Sequence, residues 1–203
     1  MSDFAVFAEG LNELQDFAEL KRDIRLAATR AINKIARDKR SRAARLIRDQ
    51  VNFPAAYVAP GQKRLYVSKQ ANRGDLEARI TARGRATSLA RFTDGGQVGH
   101  AGVYVQVAPG KSRFMKRAFL MRLPQGSTLT DTIFNLGLAI RLRPGEVLQN
   151  KVSARKVASG LYLLYGPSVD QVFRSNDGSG VANDMVPEIE RDLSAEFLRL
   201  LDI

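Results

Sequence analysis

The sequence predicts an α+β protein in which a mainly antiparallel sheet is flanked by a long basic N-terminal helix and an amphipathic C-terminal helix. Three patterns predict it. Between Leu11 and Val51 the apolar residues recur at steps of three, four or seven; from Pro54 to Tyr165 they alternate in short runs; from Asp184 onward helical spacing returns.

The first segment, 11–51, carries an apolar stripe at Leu14, Phe17, Ile24, Ala28, Ala31 and Ile35. Between Lys21 and Arg48 it holds eleven Lys and Arg against Asp23 and Asp38, a local charge of +9. A continuous helix of this length would reach about 60 Å at 1.5 Å per residue, longer than a domain of this size needs. Pro54 and Pro60-Gly61 end the helical period and open a β-rich core, 54–165. Strands are expected at Leu65 to Val67, Leu76 to Ala82, Val103 to Val107, Ala118 to Arg122, Leu136 to Leu142 and Leu161 to Tyr165. In the Leu136 run, Leu136, Leu138, Ile140 and Leu142 are expected to face the core. Gly137, Ala139, Arg141 and Arg143 would then form a basic outer face.

Gly95, Gly96, Gly99 and Gly102 mark a wide loop after Asp94. Ser168 and Gln171 resemble a capping box that opens a short helix, 168–174. A polar linker from Ser175 to Gly180 leads to the last helix, 184–202, with Val186, Ile189, Leu193, Phe197 and Leu200 as its apolar face. Between Asp184 and Asp202, six acidic residues against Arg191 and Arg199 give −4, so the two end helices carry opposite charge. No internal repeat or long linker interrupts the chain, and one domain, 1–203, is expected.

The chain has 203 residues, a formal net charge of +11 and no cysteine. A basic balance of this size favours polyanions, whether nucleic acid, an anionic surface or an acidic protein. Without cysteine there is no disulfide framework, zinc-thiolate site or thiol chemistry. The N-terminus shows no basic region followed by an apolar one, and no apolar run approaches eighteen residues, so neither export by a visible signal nor a membrane span is expected.

Tests for catalytic motifs fail one after another. Pro109-Gly110-Lys111-Ser112 resembles the end of a phosphate-binding loop, but that motif needs a glycine where Val105 stands, and a strand rather than a helix is expected after it. His100 is the single histidine, so a histidine triad or a multi-histidine metal centre has no second member. Asp184, Glu188, Glu190 and Asp192 are scattered around a helix that already has a buried face. No enzyme is expected, and no cofactor or metal.

The basic helix has two readings. A charged helix face is commonly just solvated; the functional alternative is that its guanidinium groups line a phosphate backbone without reading bases. No helix-turn-helix, zinc finger or RNP-type motif supports sequence-specific recognition, and no aromatic residue interleaves with the arginines as a single-strand stacking platform requires.

Four blocks together resemble the minor tail protein Z family of lambda-like long-tailed bacteriophages: Thr87-Ser88-Leu89-Ala90-Arg91-Phe92, Arg117-Ala118-Phe119-Leu120-Met121, Gly137 to Glu146, and above all Leu161 to Phe173 with its Tyr165-Gly166-Pro167-Ser168-Val169 core. Ala195 to Arg199 suits the end of that family. The resemblance implies a tail completion protein at the head-proximal end of the tail, needed for productive head–tail joining and for placement of DNA. It implies a ring of copies, with six-fold symmetry as the expectation, contacting the tail terminator or tail tube protein and head-side neck proteins, with viral DNA in the channel and a place in the virion after assembly in the host cytoplasm. It supplies no catalytic residues. The candidate contacts to DNA or an acidic partner are Arg30, Lys34, Arg37, Arg40, Arg141 and Arg143; the candidate assembly contacts are Tyr165, Val169, Phe173 and Phe197, with the oppositely charged end helices of neighbouring copies setting register. The alternatives are a nonspecific nucleic-acid-binding protein and another neck component such as a tail terminator or head-side connector.

Overall fold

The computed structural model describes residues 3–7, 22–93, 102–129, 134–148, 154–175 and 180–201. The expected helical turns that carry Leu11, Leu14 and Phe17, most of the glycine-rich loop with His100, residues 176–179 of the linker, and Asp202 lie outside them. The class is α+β, as the patterns predict: a long N-terminal helix, a C-terminal helix and antiparallel strands. The contacts divide the chain into two compact units. The first is built from Met1–Ile47, Ala55–Gly84 and Val169–Ile203, the second from Arg48–Pro54 and Arg85–Ser168.

In the first unit, strand β1 (Asp3–Phe7) pairs antiparallel with β3 (Glu77–Ala82), which also pairs with β2 (Leu65–Lys69). The helix α1 spans Arg22–Gln50, 29 residues and about 44 Å. Its buried positions are Ala27, Ala28, Ala31, Ile32, Ile35, Ala36, Lys39, Arg40, Ala43, Ala44 and Ile47. This is a stripe two residues wide that repeats every four residues. A step of four overshoots the helical turn by about 40°, so from Ala27 to Ile47 the stripe winds about 200° around the axis. A flat sheet can cover only one side of a rod, so such a helix needs more than one neighbour. Ile32 and Ala36 pack with Ala71 and Ala78, and Val67, Leu76 and Leu193 close over them. Alanines at most of these positions let the neighbouring backbones come close. Asn33 fits the same packing by exchanging two hydrogen bonds of 2.8 Å with the backbone of Ala71.

Leu193 belongs to α4 (Val186–Leu200), which follows α2 (Val169–Arg174) and the short α3 (Val181–Asp184). The last helix is interrupted at Met185, and Pro187 occupies the first turn of α4, where a missing N–H costs nothing. Of its expected apolar face, Ile189 is buried and Leu193, Phe197 and Leu200 are half-buried, while Val186 is exposed. Glu196 is buried instead, because α1 supplies it with a cation.

That pairing draws on the charge expected to act between neighbouring copies. The acidic face of α4 is engaged within the chain: Lys34 to Glu196 at 2.9 Å, Lys39 to Asp192 at 2.5 Å and to Glu188 at 3.3 Å, and Arg42 to Glu188 at 3.6 Å. As the α1 numbers rise, the α4 numbers fall, so the helices run antiparallel. The complementarity expected to align neighbouring copies is used inside the first unit. It has a pH signature. The Arg199 guanidinium, followed by the Lys34 ammonium, holds the Glu196 carboxyl at about 2, down from 4.5. A depressed carboxyl stabilises the fold above its unfolded value and ceases to as pH falls from about 4.5 toward 2. Glu196→Gln is therefore expected to flatten the loss of urea resistance between pH 5 and pH 2.5, measured against the parent protein.

The second unit holds a sheet in the order β4 (Thr87–Ser88), β10 (Leu161–Gly166), β8 (Leu136–Arg141), β7 (Ala118–Arg122), with β9 (Ala154–Ala158) also pairing β10. A separate hairpin joins β5 (Gly102–Ala108) to β6 (Lys111–Lys116). The strand expected at Ala118 to Arg122 is β7, and a further strand, β6, precedes it after Gly110. Arg117 has φ 63°, and this left-handed residue turns the chain so that β6 stays with the hairpin while β7 enters the sheet. β8 is also not one-sided as predicted. Gly137 and Ala139 are buried with Leu123 and Leu163, and a Cβ on Gly137 would stand 2.7 Å from the Leu163 side chain. Small residues on the supposed outer face are what let β10 side chains cover it. Only Arg141, with Arg143 just beyond the strand, remains exposed there.

Candidate functional site

The structure sorts the sequence-derived contact residues by what each side chain touches. Arg30, Lys34 and Arg37 lie on the exposed side of α1 together with Arg45, at steps that keep them on one face for about 22 Å. Lys34 also holds Glu196. Arg40 is different. It is on the buried stripe, 7% exposed, and its guanidinium donates to the carbonyls of Leu65, at 2.9 Å, and Val58. Its burial lowers its pKa. A guanidinium spent on two backbone acceptors cannot meet a phosphate, so Arg40 leaves the candidate set and becomes a structural residue. Arg141 and Arg143 are exposed on the second unit.

The assembly candidates divide in the same way. Val169 and Phe173 are 1% exposed, so they are core residues of α2 rather than surface contacts. Tyr165 is half-buried and donates its hydroxyl to Leu129 at 2.9 Å; burial raises its pKa. Phe197 is half-buried on α4.

The folded chain also relocates the charge. The second unit contains thirteen Lys and Arg against four Asp and Glu, giving +9; the first contains nineteen against seventeen, giving +2. The arginines of α1 are nearly balanced by the acidic residues that share their unit. The β-rich unit carries the excess. Its described acids are Asp49 and Glu146, and Glu146 is engaged. Its carboxylate accepts from the Arg143 backbone N–H at 2.8 Å and from Arg117 at 3.0 Å, and those contacts, in that order, lower its pKa.

Two surface features stand within this basic unit. One is an open groove of about 780 Å³, where Leu89, Val107, Met115, Ile140, Leu142 and Leu164 supply apolar surface and Arg113 and Arg117 supply cations. The other is the β5–β6 hairpin. Tyr104 pairs directly with Phe114, their ring centres are 5.0 Å apart, and the two residues are 48% and 44% exposed. Lys111, Arg113 and Lys116 on the same hairpin are exposed and make no ion pair among the described residues. The absence of interleaved aromatics is expected of the basic helix; on this hairpin, Tyr104 and Phe114 do stand among cations. Tyr104 lies ten positions from Phe114 along the chain, and only strand pairing makes them neighbours. The Pro109-Gly110 turn flanked by alternating residues was the sequence signal that could have found them.

Among the described residues no group of three His, Asp or Glu side chains could hold a metal ion, and no helix is long and apolar enough to cross a membrane. No family model, curated protein or solved structure matches the chain.

Proposed function

We propose that this protein is a structural subunit of the head-proximal end of a lambda-like phage tail, a tail completion protein that works through contacts with its neighbours rather than through bond-making chemistry. The observation that carries the reading is the ordered set of sequence blocks ending in Leu161 to Phe173. In the fold those residues form β10 and most of α2, and the chain passes from one compact unit to the other between Ser168 and Val169. Ser168, Val169 and Phe173 are buried, so the block carries the fold and not a reactive site. A resemblance concentrated there supports a shared architecture and, through it, a shared assembly role.

On this reading neighbouring copies form a ring, with six-fold symmetry expected beside a six-fold tail tube. The terminator or tube protein lies on one side and head-side neck proteins on the other. DNA in the channel would be met by phosphate contacts from exposed arginines, Arg30 and Arg37 on the first unit and Arg141 and Arg143 on the second, without base readout. Deleting the gene is expected to leave DNA-filled heads and tails of normal length that fail to join, seen by electron microscopy of the lysate. Tails of abnormal length would instead assign the protein as a terminator, and normal infectivity would end the proposal.

The runner-up is a free-standing nonspecific nucleic-acid-binding protein, favoured by the +9 charge of the second unit. A salt titration of the isolated subunit on duplex DNA separates the two, since for a free-standing polyphosphate binder the logarithm of the affinity falls linearly with log salt. A neck subunit is expected to bind duplex DNA weakly until it is assembled.

A further inference from the structure

We propose that the β5–β6 hairpin is a binding site for single-stranded nucleic acid, with Tyr104 and Phe114 as the stacking surface, Lys116 as the phosphate contact on the same face, and Lys111 and Arg113 adding positive charge from the other face of the strand. This site goes beyond the tail-subunit reading and stands or falls independently of it.

Three observations carry the site. The first is the aromatic pair. Two rings 5.0 Å apart and tilted by 51° are left nearly half-exposed, where burial in the core would have been worth a few kcal/mol per side chain. The second is its charge. Gly102 to Arg122 contains Lys111, Arg113, Lys116, Arg117 and Arg122 and no acid. Only Arg117 of these five is in an ion pair among the described residues.

The third is the geometry of the pleat. Tyr104, Phe114 and Lys116 share one face, because alternate residues do, and Lys116 follows Phe114 at about 7 Å along the strand. Opposite Lys116 stands Gly102, which has no side chain. The tip of the Phe114 ring lies 2.8 Å from where a Cβ on that glycine would be, so the ring leans across the bare backbone, and it stays 44% exposed. A nucleotide strand laid along the hairpin can place a base on these rings and a phosphate near Lys116, within the positive field of Lys111 and Arg113, the combination that single-strand binders use. Duplex DNA keeps its bases stacked inside, so it can use the cations but not the rings. A second copy of this chain is the competing occupant, and sedimentation of the aromatic variant distinguishes it.

The test uses the full chain and fluorescein-labelled oligo(dT) of about twenty nucleotides against a duplex of the same length, read by anisotropy at low and moderate salt. The wild-type protein is expected to bind oligo(dT) more tightly than the duplex. Tyr104→Ala with Phe114→Ala is expected to weaken oligo(dT) about ten-fold or more and leave duplex binding within two-fold. Phe114→Trp is expected to retain oligo(dT) binding, and Lys111→Glu with Lys116→Glu to weaken both ligands. Because both rings are exposed, the alanine variants should keep the parent circular dichroism spectrum and Tm. Three results overturn the proposal: no binding of oligo(dT), equal loss of both ligands in the aromatic variant, or an aromatic variant that keeps oligo(dT) binding. If that last variant instead loses self-association in sedimentation, the hairpin is a protein contact.

Discussion

Arg40→Ala is expected to destabilise the protein by about 3 kcal/mol, because two buried carbonyls lose a charged donor and a long side chain leaves the packed face of α1. At this chain length that is roughly 6–12 °C in Tm. The expectation follows from the position of the guanidinium, which joins α1 to the carbonyl of Leu65 in β2 and to that of Val58 in the preceding loop. Arg40→Met fills most of the volume and restores neither hydrogen bond, so it should recover only part of the loss. Arg37→Ala, three residues away on the exposed side, should change Tm by about 1–2 °C. Thermal unfolding followed by circular dichroism measures all three variants. If Arg40→Ala costs no more than Arg37→Ala, Arg40 is not the tie described.

Gly102→Ala is the second large effect. At φ 151° the backbone is in a region that costs a residue with a side chain about 1–3 kcal/mol. The new Cβ would also stand 2.3 Å from the Met115 carbonyl oxygen and 2.8 Å from the Phe114 ring. The first obstruction is backbone, so it cannot swing aside. The hairpin must open at that end, and the Tyr104–Phe114 contact should loosen with it. Amide hydrogen exchange is expected to accelerate across β5 and β6 while α1 and α4 keep their protection. Unchanged exchange in the hairpin would contradict the close approach at Gly102. The same variant should weaken oligo(dT), since the ring that leans across the glycine is displaced.

Much of the architecture is readable from residue order because it rests on local periodicity. Helical spacing between Ile24 and Ile47, alternation at Leu76 to Ala82 and at Val103 to Val107, and the break at Pro144-Gly145 each specify a backbone period without reference to anything distant. Misses came where local signals are weak or misleading. β4 has two residues and β9 carries Arg155 and Lys156, so neither shows an apolar run. The split between β6 and β7 falls at an arginine with positive φ, a residue type that seldom marks a turn.

The candidate site was less legible than the fold, and for a different reason. A charge count along the chain places +9 on one helix, and a charge count in space places +9 on the β-rich unit. The two disagree because electrostatic partners are chosen by distance, and α4 is about 150 residues from the lysines it neutralises. By itself the sequence determined the fold class, the long amphipathic α1 and the absence of thiols, all properties of composition or of near neighbours. Tertiary structure alone decided that Arg40 is buried and bonded to backbone, that Val169 and Phe173 are core, and that Tyr104 meets Phe114 among exposed cations. Each depends on which segments a fold brings within a few ångströms, and hydrogen bonding, burial and ring contact act only over that range.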